Sequence, residues 1–192
     1  MQQININNDL LVTQRLPDGY TWTLASRLSD MLYMAEELFG PRDYSYTILG
    51  IEFVDDGPRI WYPGNRKHII IQLDPSAAID MSQACYQLAQ EVVHLLAPTG
   101  SNDANNFEEG VSCYFAAYYM NERFSEPNWH PDAPNYERVL NRVAPLLDTD
   151  ISCVRRLRNE QPSFSKMSQE LISTIFPNLT PDNVNFLIKK FD

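Results

Sequence analysis

Gln90-Glu91-Val92-Val93-His94 brings an amide, a carboxylate and an imidazole into one short run. The run lies inside a helical pattern expected over residues 76–96, where Cys85, Leu88, Ala89, Val92 and Leu96 form an apolar stripe and mark the core-facing side. Gln83, Gln87, Gln90, Glu91 and His94 fall on the other side. Side chains four residues apart lie one above the other on a helix, so Gln90 and His94 share a face. Two ligands at that spacing can grip a metal ion, and Glu91 then projects beside it, where it can polarise a bound water.

The run Q-E-V-V-H resembles the H-E-x-x-H helix of zinc metallopeptidases. Downstream, Asn106-Phe107-Glu108-Glu109-Gly110-Val111-Ser112-Cys113-Tyr114-Phe115 resembles the second helix of the gluzincin group, to which the thermolysin-like enzymes and the large aminopeptidases belong. The resemblance covers residues 44–124 and implies a zincin-like fold, with an antiparallel edge strand, a metal helix, a loop and a glutamate helix in that order. Carried over by residue, it implies His94 and Glu109 as metal ligands and Glu91 as general base. It further implies a peptide-binding cleft, to which Tyr114 and Tyr118 are candidates to contribute hydroxyls.

One departure governs the expected function. Where the family motif has its first histidine, this chain has Gln90. An amide is a poor zinc donor, and a catalytic zinc takes three protein ligands plus water. The gap from His94 to Glu109 is also shorter than in the large aminopeptidases. The expectation is therefore a catalytically degenerate domain, a pseudo-metallopeptidase without resident cofactor, that binds a peptide or protein in the former active-site cleft. The alternative is a metal-dependent peptidase in which another residue, His130 for example, completes a zinc shell around His94 and Glu109. A third reading is an α+β regulatory or interaction protein unrelated to zincins.

The elements that must position these residues follow from the periodicity of the chain. Residues 1–17 read as a polar arm and residues 21–39 as a helix ended by Gly40-Pro41. Three short strands over 44–54, 59–62 and 67–73, separated by turn residues, suggest an antiparallel meander. Helices follow over 76–96, 106–123, 136–147, 150–159, 166–176 and 181–190, the last opened by Thr180 and Pro181. A small antiparallel sheet followed by a block of helices is an α+β arrangement. With 192 residues the chain makes one domain, of which 125–192 form a helical C-terminal subregion.

Composition narrows the partners. Fifteen Lys and Arg against 25 Asp and Glu leave a net charge of −10, which disfavours nucleic-acid backbones and anionic membranes and favours a basic partner. Arg155, Arg156 and Arg158 form a small cluster that reads as a solvated helix face. Three widely separated cysteines, Cys85, Cys113 and Cys153, suggest no disulfide framework and a reducing, cytoplasmic setting. The first residues lack the pattern of a signal peptide, and apolar runs such as Ile69-Ile70-Ile71 are too short to span a bilayer. Nothing in the sequence assigns an oligomeric state.

Overall fold

The computed structural model describes residues 4–65, 67–101 and 103–192. Thr23 opens the first helix, α1 (Leu24–Phe39), with a reciprocal capping box to Ser26. Leu24, Met31, Ala35 and Phe39 are fully buried along one face, and Gly40 ends the helix at φ 92°. Before it, the arm is partly tied down. Leu10 is buried and the Asn7 amide donates to the Ala78 carbonyl, whereas the hairpin of β1 (Arg15–Leu16) and β2 (Gly19–Tyr20) is exposed.

The α+β class is as expected, but the three longer strands do not form a meander. They are β3 (Thr47–Phe53), β4 (Arg59–Trp61) and β5 (His68–Leu73), arranged β3-β5-β4, with β3 parallel and β4 antiparallel to β5. Burial explains the order. Ile69, Ile71 and Leu73 of β5 are fully buried, so the most apolar strand takes the centre. The three-residue β4 is left at the edge. The β3–β4 connection must then pass over the end of β5. Gly57 makes that crossing, since a Cβ there would lie 2.5 Å from the Leu73 carbonyl carbon.

The helix expected over 76–96 is divided. A 3₁₀ turn, Pro75–Ile79, precedes α2 (Met81–His94) because Asp80 leaves the helical region and caps Gln83. Then come α3 (Asn106–Phe124), α4 (Pro134–Thr149), α5 (Ser152–Glu160), α6 (Gln169–Ile175) and α7 (Pro181–Ile188). Helix α3 is the centre of the helical block, with Phe107, Val111, Phe115, Ala116 and Tyr119 fully buried. It approaches α4 closely at Gly110, where a Cβ would lie 2.7 Å from Val143 Cβ. Among the described residues, no helix is long and apolar enough to cross a membrane.

The C-terminal subregion locks the helix ends that face the cleft. The Asn106 amide donates to Lys189 O and the Phe191 amide to Ala104 O, while the Asn105 and Asn106 side chains donate to Phe164 O and Phe186 O. The start of α3 is thus held from the far end of the chain. Arg158 does the same for the end of α2. It is 5% exposed, not on a solvated face as expected, and its guanidinium donates to Phe39 O, Gly40 O, Pro41 O, Leu96 O and Pro162 O. All but the Pro162 carbonyl lie at the negative ends of α1 and α2, where a cation is favoured. Burial holds its pKa down, to about 10, so it stays charged at neutral pH. Arg155 likewise reaches Glu36 O and Glu37 O, and only Arg156 matches the expected solvated face.

Arg158→Met leaves these carbonyls unpaired and is expected to lower stability by about 3 kcal/mol or more, read as a fall in the urea midpoint. Gly110→Ala is expected to cost about 1–3 kcal/mol by overpacking against Val143. That loss exceeds the gain of about 1 kcal/mol from helix propensity, and an unchanged midpoint would show that α4 yields at this contact.

Candidate active-site cleft

Helices α2 and α3 pack side by side and form the floor of a cleft of about 370 Å³. The whole polar stripe of α2 lines it, with Gln83, Gln87, Gln90, Glu91 and His94 all facing the cavity. The opposing stripe, Cys85, Leu88, Ala89, Val92 and Leu96, is fully buried in the core. From α3 come Glu108, Glu109 and Ser112. Asn105 caps this helix by accepting the Glu108 amide at 2.9 Å, which sets the first turn toward α2. One wall is β4 and its flanks, with Arg59, Ile60 and Tyr62; the other carries Pro131, Asp132, Ala133 and Tyr136.

Gln90, Glu91, His94 and Glu109 therefore meet in one place. The His94 ring is held from both sides. Nδ1 lies 2.9 Å from Glu108 Oε1, and Nε2 lies 3.6 Å from Glu109 Oε1. Glu108 had no role in the sequence reading, although its position beside Glu109 in an acidic pair at a helix start is visible there. It orients the imidazole, as a carboxylate behind a ligating histidine does. Gln90 is turned otherwise. Its Nε2 lies 3.7 Å from Cys113 Sγ, and its backbone carbonyl accepts from Ser112 Oγ at 2.6 Å.

Burial dominates the electrostatics. Glu91 is raised to about 7, first by burial and then by Glu109 and Glu108, with the His94 charge opposing. Burial also raises Glu109, which His94 opposes and Glu108 reinforces. For His94 burial works against the charged ring, but the Glu109 carboxylate, the hydrogen bond to Glu108 and the other carboxylates outweigh it and lift the ring to about 10. Cys113 is pushed up to about 12 by burial, so its thiol stays protonated and unreactive.

The donor set does not fit a resident zinc. His94 Nε2 and Glu109 converge, but the third position offers an amide turned toward Cys113. Among the described residues, no group of three or more His, Cys, Asp or Glu side chains is arranged to hold a metal ion. His130 is exposed and does not line the cleft, and His68 begins β5.

Two expected binding residues lie elsewhere. Tyr114 and Tyr118 do not line the cleft, and the Tyr114 hydroxyl instead donates to Asp148 at 3.0 Å. They stand five and nine positions after Glu109, which turns them roughly 140° and 180° from it around α3. The tyrosines that do line the cleft are Tyr62, Tyr86 and Tyr136. Tyr86 stacks on Trp129 with ring centroids 4.9 Å apart. Only the packing of α4 on α3 brings Tyr136 there. Comparison of the chain with protein-family models, curated proteins and solved structures gives no match.

The shifts at Glu91 and His94 share a sign. Both groups hold their protons more tightly folded than unfolded, so stability falls as pH rises. The Glu91 contribution is present below about 4.5 and is lost by about 7; that of His94 is present below about 6.5 and is lost as pH approaches 10. Glu91→Gln is expected to flatten the loss between pH 4.5 and 7 and to stabilise the protein by about 1–3 kcal/mol at pH 8. Urea unfolding across this range checks it, and a wild-type profile that rises with pH would contradict the assignment.

Proposed function

We propose that this chain is a zincin-like domain that has lost metal-dependent catalysis and uses the cleft to bind an extended peptide or protein segment without cutting it. The observation that carries this reading is the placement of Gln90. It stands one helical turn before His94 in a cleft shared with Glu91 and Glu109, yet its amide end contacts Cys113. The convergence of these residues on a cleft bounded by an antiparallel edge strand supports the family resemblance. The three cysteines are free and buried, which supports a reducing, cytoplasmic setting.

A metal-dependent hydrolase with Glu91 as base is the second reading. It draws on the 3.6 Å between His94 Nε2 and Glu109 Oε1, because two zinc ligands at their usual bond lengths stand roughly 3.4 Å apart. It also needs a third donor, and the exposed His130 would have to move to supply it.

Gln90→His is the discriminating variant. It is expected to bind one zinc per chain, measured by titration calorimetry and metal analysis, with affinity at least about 100-fold above the parent. The parent protein, purified without chelator, is expected to carry no stoichiometric zinc and to leave a peptide library intact. Stoichiometric zinc with peptide cleavage in the parent would overturn the degenerate reading. A Gln90→His variant that binds no better than the parent would show that the three positions do not face one ion.

A further inference from the structure

We infer that the cleft selects a basic side chain, lysine or arginine, carried by an extended peptide segment that lies along the free edge of β4. This rests on the reading of the cleft as a peptide-binding groove and adds the chemistry of what it selects.

Charge is the first support. Glu91, Glu108 and Glu109 are buried on the cleft floor, where three acidic side chains stand beside one imidazole. Asp132 extends the same sign to the exposed rim. The Arg59 guanidinium, on the cleft wall, is turned to its own sheet and turn, with Nε donating to Gln72 Oε1 at 2.7 Å and Nη2 4.0 Å from Asp56 Oδ2. Asp103 is paired with Lys190. Buried carboxylates in excess favour a cation that enters and is desolvated beside them.

Tyr86 is the second support, and it is independent of the acids. It lines the cleft, is 6% exposed, and its hydroxyl has no hydrogen-bond partner among the described residues. Buried hydroxyls are normally satisfied. The oxygen itself is sealed from solvent, and a turn of the ring toward the cavity lets it accept from an ammonium or guanidinium.

The third support is the strand edge. Among the described residues β4 is hydrogen-bonded to β5 on one side only, and Arg59 and Ile60 border the cleft. An unpaired edge offers N–H and C=O groups in the spacing that an extended chain matches. A volume of about 370 Å³ holds one or two side chains, so an anchoring residue fits and a folded element does not. A metal ion answers the carboxylates but uses neither the strand edge nor a hydrogen-bond donor to Tyr86.

The test uses the full chain and four fluorescein-labelled, N-acetylated octapeptides of Val, Thr and Ser with a central lysine, arginine, norleucine or glutamate. Binding is read by anisotropy. The lysine and arginine peptides are expected to bind about tenfold or more tightly relative to norleucine, which matches lysine in shape without its charge. Glu109→Gln is expected to erase that advantage. Asp132→Asn, at an exposed site that leaves the fold untouched, is expected to reduce it about twofold. N-methylation of alternate peptide amides is expected to weaken all binding peptides alike.

Equal binding of the norleucine and lysine peptides overturns the basic selectivity and leaves the peptide-binding reading standing. Binding of none of the four, or zinc-dependent cleavage of any, overturns both. Displacement of the lysine peptide by stoichiometric zinc chloride assigns the acidic floor to a metal and overturns the inference.

Discussion

Burying three carboxylates around one imidazole is costly unless each group is held where its partner is, and this constraint shapes the molecule. His94 on α2 and Glu108 on α3 meet at 2.9 Å across the helix interface. Glu91 and Glu109 complete the cluster within the same cleft. A small slide of one helix along the other would separate the imidazole from both acids and leave buried charge uncompensated. The two helices are accordingly fastened to each other, as by Ser112 to the Gln90 carbonyl at 2.6 Å, and to the rest of the chain.

The last third of the chain is this fastening. Arg158 gathers carbonyls from the ends of α1 and α2, and so fixes the end of the helix that carries His94. The C-terminal tail bonds to Ala104 and Asn106 and fixes the opposite partner, the first turn of α3 with Glu108 and Glu109. A subregion without a chemical motif of its own thereby sets the geometry of the cleft. Gly110, directly after the two glutamates, lets α4 close against α3 and bring Tyr136 to the cleft wall. In the site Gln90 is turned to Cys113 and His94 is oriented by a carboxylate.

Local pattern carried the reading of α2 and α3. The polar and apolar stripes of 83–96 are separated by the 3.6-residue period alone, and the structure buries one and turns the other to the cleft. The same period, applied from Glu109, excludes Tyr114 and Tyr118 from the cleft. Strand order was not legible, because alternation and turn residues mark strands without ranking them; burial of Ile69, Ile71 and Leu73 in β5 decided it. Arg158 was misread because a charged residue near two other arginines carries no local sign that backbone carbonyls from residues 39–41, 96 and 162 will surround it.

The sequence by itself therefore determined the α+β class, the helices that carry the clustered side chains and the amide at position 90 one turn before His94. These depend on residue type and on spacing within one element. Tertiary structure alone decided which carboxylate orients His94, which tyrosines reach the cavity, that β4 borders the cleft as an edge strand, and that a buried guanidinium ties the helix ends together. Each of these depends on contacts between residues far apart in the chain, and a one-dimensional pattern does not encode such distances.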